Sequence, residues 1–584
     1  MHGESGEIPD AITPNHAMNE LTVKVSQSVG RTTWWTWRLV CFCSIAVSIT
    51  SVPAQTDSEV RDMVQQIDQL RDAGKFQEAV PIAEKVLKYC EKHDGPDHPE
   101  TADSLNDLAS LYAGMGNYAK AAPLYERALK IREKALGKDH PYTAIILNNL
   151  AETYREAGDY AKAEPLYKRA IKIFETKLGS KHANTVSVTA NLALLYQDKG
   201  DLAKAEPLYV RILKIREETL GPNNPQVANT LSGLATIYSS QGNFAKAEAM
   251  YDRALKIFEQ ALGPEHPQTA NVANNLGALY LNQGDLAKAE SLFKRALEIR
   301  EKTFGPNHRA TGESINNLAW VYMDGGDYSK AEPLFLRSLK ITEQALGPEH
   351  PDTATSLNNL GVLYQMMHEY KKAEPFYQRA LKIREKALGP DNSSLVSSIG
   401  GLADLYRLER DYVKAEPVAQ RALQLSEKAY GPTHEMTATA YNNLAAIYDG
   451  MGKYDKAQPL YEKALKLFED KLGPNHYKTG AALDNLGVLY REKGDYKKAE
   501  SYALRAVEVT EKARGPNHPE TATALNDLAK VYEAMGDTAK AQPLRDRAAK
   551  IRKNGQTNSA SPQQTASPEQ TVSAQPTTSP QPSP

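Results

Sequence analysis

Leucine, small residues and tyrosine return along this chain at fixed spacing, and the pattern predicts its elements. From Thr101 to Gly137 the sequence reads TADSLNDLASLYAGMGNYAKAAPLYERALKIREKALG. Leu105, Leu108, Ala109 and Tyr112 fall at steps of three and four, the apolar face of one helix. Gly116 ends that helix, since glycine takes the left-handed conformation at little cost, and Asn117 offers an N-cap oxygen to the next. Ala121, Leu124, Tyr125, Ala128, Ile131 and Ala135 then form the stripe of a longer helix, closed by Gly137. The predicted unit is helix, tight turn, longer helix, loop.

The unit recurs every 42 residues without a slip, at Tyr112, Tyr154, Tyr196, Tyr238, Tyr280, Tyr322, Tyr364, Tyr406, Tyr448, Tyr490 and Tyr532. Leucine stands four before each tyrosine, from Leu108 to Leu528, and alanine nine after it, from Ala121 to Ala541. The residue three before is always Ala or Gly. Small residues facing large rings let helices interdigitate without voids. An unbroken register of this length is one supersecondary unit stacked many times, a solenoid with no room for an inserted catalytic domain. Residues 57–98 read as a degenerate first unit, in which Leu70 replaces the tyrosine while Gly74 and Ala79 keep register. Eight of the eleven units carry proline inside the second helix, as at Pro123 and Pro165. Interior proline loses a hydrogen bond and crowds the preceding turn, so a local distortion short of a break is expected.

Leu, Gly/Ala and Tyr in the first helix, followed by Ala, Tyr/Phe and Ala in the second, resemble the tetratricopeptide signature. The 42-residue length and the runs LNNLA, GDYAKAEPLYKRAL and EKALGP look like the kinesin-light-chain type of tetratricopeptide array, over about residues 100–550. The resemblance implies an all-α, right-handed superhelical solenoid of about 11–12 helix-turn-helix repeats, spanning residues 57–98 and 99–553. It does not imply motor cargo work: kinesin light chains carry an N-terminal heptad coiled coil, where this chain has a signal-like segment.

Composition changes the picture by exclusion. Charged residues make up 24% and the formal net charge is −2, which leaves no electrostatic footprint for nucleic acid. Lys and Glu alternating along the second helix read as a solvated face. Lys24, Arg31 and Arg38 precede an apolar run from Leu39 to Val52, followed by Val52-Pro53-Ala54. That order reads as a secretory signal with cleavage after Ala54, hence a periplasmic or secreted protein. The leader is long, so translation from Met18, or retention as an N-terminal membrane tether, stays open, as does a cytoplasmic location. Cleavage would leave Cys90 alone, so no internal disulfide is expected. Residues 554–584, rich in Ser, Pro, Gln and Thr with no aromatic residue, are expected to be a disordered tail.

Nine of the thirteen histidines occupy one loop position: His98, His140, His182, His266, His308, His350, His434, His476 and His518. Imidazoles on zinc must come within roughly 2.0–2.1 Å of one ion, whereas packed helices lie about 8–10 Å apart. A structural loop role is therefore expected, with no metal and no cofactor. Threonine stands three residues after each of them, from Thr101 to Thr521, and reads as the cap of the next helix. Both residues vanish together at Asn224/Val227 and Asn392/Leu395, which suggests one hydrogen-bonded motif.

Six residues past the threonine lies the candidate site. It holds Asp107, Asn149, Asn191, Gly233, Asn275, Asn317, Asn359, Gly401, Asn443, Asn485 and Asp527 in turn. An amide both donates and accepts, so it can pair with any peptide backbone. The resemblance implies that asparagine here lines the concave face and holds an extended peptide, as in kinesin-light-chain arrays and the array of O-linked GlcNAc transferase. The other reading is that these asparagines bond neighbouring helices. Trp320, on the face of Asn317, is either an exposed affinity anchor or buried between helices. Arg155, Met323 and Arg407 are candidate selectors of ligand side chains. Gly233 and Gly401 reflect either duplication of a four-unit block or local coupling. No Gly-rich phosphate loop, paired-cysteine zinc site or nucleophile elbow is present, and no enzymatic activity is expected. The expected function is a scaffold binding extended peptide segments of protein partners in the concave groove. The alternative is a self-associating or envelope-complex scaffold without a free peptide ligand.

Overall fold

The computed structural model describes residues 54–558, apart from residue 73. The leader through Pro53 and the tail from residue 559 lie outside the described residues, and with them the expectations placed there. The last helix runs to Asn558, five residues past the boundary expected at 553.

Twenty-four α-helices alternate along the described chain, each packed against the next, and the architecture is an all-α repeat solenoid. The first helix of a unit (helix A) is 16 residues long, as in Pro99–Gly114, Pro267–Asn282 and Pro351–Met366. The second (helix B) is 19 residues long, as in Tyr118–Leu136 and Tyr370–Leu388. Val396–Leu408 is shorter because a 3-10 turn, Ser393–Leu395, precedes it in a unit that lacks the His/Thr pair. Helix B runs unbroken through its proline, as at Pro123 and Pro165. Each of these prolines is the sixth residue of its helix, so it removes one hydrogen bond, to the carbonyl four residues earlier, without ending the helix.

Loop chemistry departs from expectation in one respect. Histidine, not threonine, caps helix A. His98 is extended at φ −76° and ψ 147°, and its Nδ1 accepts from the Glu100 N–H at 3.3 Å. Six helices A begin with proline, including those at Pro99, Pro267 and Pro351, and the residue before proline is pushed out of the helical region, as an N-cap requires. Threonine, already inside the helix, donates back to the glycine carbonyl closing the previous helix: Thr101 to Gly95 O at 2.7 Å, Thr353 to Gly347 O at 2.8 Å. The two do form one motif. At the opposite turn Gly116 has φ +70° and Asn117 caps helix B through the Lys120 N–H, as the spacing predicts.

The periodic residues join units. All eleven leucines from Leu108 to Leu528 are buried. Tyr280 donates its hydroxyl to Glu248 of the preceding helix B at 2.6 Å, and the Lys288 ammonium sits 4.5 Å from its ring centroid. Tyr154, Tyr322 and Tyr364 repeat the arrangement. On the solvated face, arginines reach glutamates 36 residues earlier, as in Arg295–Glu259 at 2.6 Å and Arg337–Glu301 at 2.7 Å. Such exposed pairs contribute about 0–1 kcal/mol each, so burial, not charge, holds the stack.

Successive A helices approach one another more closely than successive B helices do. In a curved stack the inner spacing is the shorter, so helix A lines the concave side. The curvature brings the chain back onto itself. Asn392 Nδ2 donates to Ala157 O and His434 Nε2 bonds Lys199 O, each across 235 residues, or about 5.6 units of 42. The array is thus wound into two turns whose edges touch.

Candidate functional site

The concave side carries a chain of amides. Asn149 Nδ2 donates to Asn106 Oδ1 at 3.0 Å, and Asn191 to Asn148 at 2.9 Å. Asn317 donates to Asn274 at 3.0 Å, Asn359 to Asn316 at 2.8 Å, and Asn485 to Asn442 at 2.8 Å. The donor is always the expected ladder residue, and the acceptor is the residue just before that position in the preceding unit. Within a unit Asn148 and Asn316 donate to Asn149 and Asn317 at 3.4 Å, so the rungs link into zigzags. The acceptors were not singled out from the sequence, although the doubled asparagines Asn148-Asn149, Asn316-Asn317 and Asn358-Asn359 were visible there.

Burial divides the ladder. Asn149, Asn191 and Asn443 are half-buried, whereas Asn275, Asn317, Asn359 and Asn485 are buried, Asn317 to 2% exposure. Asn275 makes no rung: its Oδ1 and the Oγ of Ser232, in the position that would accept from it, have no hydrogen-bond partner. Trp320 is 3% exposed and meets Phe335 edge to face at 5.9 Å, so it packs between helices and is not an exposed anchor. Arg155, Met323 and Arg407 are likewise buried rather than presented to a ligand. Arg155 pairs with Glu152 at 2.8 Å and also with Asp198 of the next helix A. Arg407 pairs with Asp404 at 2.7 Å, and Asp404 accepts from Gln365 at 2.8 Å.

The two breaks have a steric correlate. A Cβ on Gly233 would lie 2.5 Å from the Tyr209 ring, and one on Gly401 would lie 2.6 Å from the Tyr377 ring. Local packing is thus sufficient reason for both glycines. It leaves Asn358 Oδ1, 1% exposed, without the donor its counterparts have.

Toward the C-terminus the rung is a carboxyl pair, Asp484 with Asp527. Burial, then the neighbouring Asp527 charge, pushes the Asp484 carboxyl well above its ordinary range, and Asp527 pairs with Lys530 at 3.0 Å. Protonated Asp484 can supply the hydrogen that an amide supplies elsewhere. A carboxyl raised in the folded state contributes fully below its unfolded pKa, near 3.8, and that contribution is lost as pH rises toward the folded value. Asp484→Asn keeps the donor without the charge. It is expected to be more stable than the native chain at pH 7, by roughly 0.5–2 kcal/mol, with the gain vanishing below pH 4 in thermal melts.

Between the two turns lies a cavity of about 120 Å³, lined by Tyr160, Asp198, Ser393, Tyr430, His434 and Glu435 among others. Among the described residues no group of three or more His, Cys, Asp or Glu side chains is arranged to hold a metal, and no helix is long and apolar enough to cross a membrane. Cys90 is buried and makes no disulfide.

The tetratricopeptide repeat profile matches nine segments, in three overlapping runs over residues 64–176, 184–386 and 394–554. No curated protein matches. Among solved structures, the kinesin light chain TPR-like repeats of Podosopora anserina are similar at 25% identity, covering 35% of this chain and 97% of that one, with a TM-score of 0.32. BtubC (BKLC) from P. vanneervenii is similar at 25% identity, covering 43% and 98%, with a TM-score of 0.31. A Rap protein complexed with competence and sporulation factor is similar at 15% identity, covering 70% and 98%, with a TM-score of 0.43.

Proposed function

Because the chain belongs to the tetratricopeptide repeat family, whose arrays are in general non-catalytic protein-interaction scaffolds, we propose that it binds extended peptide segments of protein partners on its concave face. The observation that supports this most is the amide chain along helix A. A rung uses one N–H of each donor and one lone pair of each acceptor, which leaves backbone-pairing capacity in a fixed orientation. Amides already held in place lose less rotamer entropy when a ligand arrives. The accessible part of the ladder is Asn148, Asn149, Asn191, Asn442 and Asn443, and these are the proposed contacts. Asn275, Asn317, Asn359 and Asn485 are proposed to hold the register of the A helices beneath them, together with Trp320. The signal-like leader makes an exported compartment the proposed setting.

The test uses the full chain against a displayed library of unstructured peptides. The native chain is expected to enrich a peptide family, and the triple variant Asn149→Ala, Asn191→Ala, Asn443→Ala is expected to lose it at least tenfold with unchanged helical circular dichroism. Equal retention by a folded variant would remove the concave amides from the site.

A further inference from the structure

The contact between the two turns is regular. Each loop histidine or asparagine of the second turn lands on the A–B turn glycine 234 residues before it. A Cβ on Gly116 would lie 2.8 Å from His350 Nε2, one on Gly158 2.6 Å from Ser393 Oγ, one on Gly200 2.8 Å from His434 Nε2, and one on Gly284 2.6 Å from His518 Cδ2. Gly242 faces His476 at 3.8 Å. Arg514 adds a bond to Asn282 O at 2.6 Å. The residue types follow the contact. Every turn beneath a loop is glycine, and the two left-handed residues that are not, His368 and Arg410, lie on the free edge of the second turn. Gly326, Gly452, Gly494 and Gly536 on that edge have nothing within 4 Å of such a Cβ. Exposure follows the same division: His350, His476 and His518 are buried and His434 is half-buried, while His98 and His182 on the open edge of the first turn are exposed.

At the seam each histidine is committed at both nitrogens or buried against the turn. Nδ1 must be unprotonated, because it accepts the capping N–H: Asp352 N on His350 at 3.0 Å, Met436 N on His434 at 3.1 Å, Lys478 N on His476 at 3.2 Å and Glu520 N on His518 at 3.2 Å. A proton on Nδ1 would set a donor against a donor and place a charge in a dry interface. We propose that the seam is an acid-sensitive clasp: protonation of His350, His434, His476 and His518 parts the two turns and opens the tube into a looser spring without unfolding the helix pairs.

The surrounding charges do not reverse the direction. His434 faces Glu435 of its own unit, Lys478 of the next and Lys199 of the turn below, and stacks on Tyr430 at 4.8 Å. His476 faces Lys478 and Arg514, and His518 faces Glu520 and Arg514. His350 has Asp352 Oδ2 at 3.9 Å. Burial dominates at the last three units, holding His434 low, His476 well below its ordinary value and His518 at about 4. A base depressed in the closed state favours closure above its free value, near 6.5, and that preference is lost as pH falls toward the closed value. Burial pushes the Asp324 carboxyl, which faces Arg514 and Glu520, up to about 7; it is unchanged in the four-site variant below, which separates its protonation from that of the histidines.

The chain supplies its own non-titrating substitute. Asn392 occupies the same position, caps through the Ser394 N–H at 2.8 Å and still donates across the seam to Ala157 O. Small-angle X-ray scattering and circular dichroism of the full chain at pH 7.5 and 4.5 test the clasp. The native chain is expected to expand at pH 4.5 with its helical signal retained. The variant with His350, His434, His476 and His518 all changed to Asn is expected to stay compact at both values. A control with His98, His140 and His182 changed to Asn, on the open edge, is expected to expand like the native chain. An unchanged radius of gyration in the native chain, expansion only with loss of helix, or equal expansion of the four-site variant would each overturn the clasp. Peptide binding plays no part in these readouts, so failure of the binding reading leaves them intact.

Discussion

Gly401→Asn is expected to lower the stability of the array by roughly 1–3 kcal/mol, although it supplies the amide that the ladder lacks. The sequence alone would favour the change, since Asn358 Oδ1 stands ready as an acceptor and asparagine fills this position in seven units. The obstacle is the Tyr377 ring, wedged between Gly361 and Gly401, where an added Cβ on either glycine would lie 2.9 or 2.6 Å from Cε1. Tyr377 is 1% exposed and donates to Gln365 at 3.0 Å, so its ring is not a loose end that can swing away. A gained hydrogen bond contributes about 0.5–1.5 kcal/mol net, less than the cost of shifting a packed ring. Chemical denaturation of the single variants and of Gly401→Asn with Tyr377→Ala gives the coupling. The double variant is expected to be more stable than the sum of the two losses predicts, because the collision is gone. Additive losses would show that the ring is not what excludes asparagine.

Leu318→Ala is expected to cost about 2–5 kcal/mol, the largest single-residue effect among these predictions. Leu318 is 5% exposed in the main core cluster, beside Ala319, Trp320 and Phe335. The consequence is spatially limited, because a solenoid unit contacts mainly its neighbours. Hydrogen exchange should accelerate first in residues 267–388, the damaged unit and those flanking it, before the end units respond. Uniform acceleration along the whole array would mean that the seam couples distant units as strongly as adjacent packing does.

Much of this molecule was legible in one dimension. Period, helix pairs, turn glycines, the Asn117-type caps and the buried leucines follow from local rules, because each depends on residues within one unit or on its immediate copy. The candidate position was legible as a column of amides, yet its use was not. A column cannot tell whether Asn317 faces a ligand or Asn274, since that depends on how far apart neighbouring A helices stand. Threonine has the local preference of a cap, but the backbone turns helical three residues earlier, at histidine, with or without a following proline, as at His98 and His182.

The sequence by itself therefore determined the unit, its copy number and its chemistry. Only the tertiary structure decided the curvature, because the small rotation between units accumulates from packing at every interface, with no residue that encodes it. That curvature brings His434 to Lys199 across 235 residues and divides identical loop histidines into clasped and unclasped sets. Residues equivalent in sequence become different in environment when the stack closes on itself, and the physics of burial then assigns them different work.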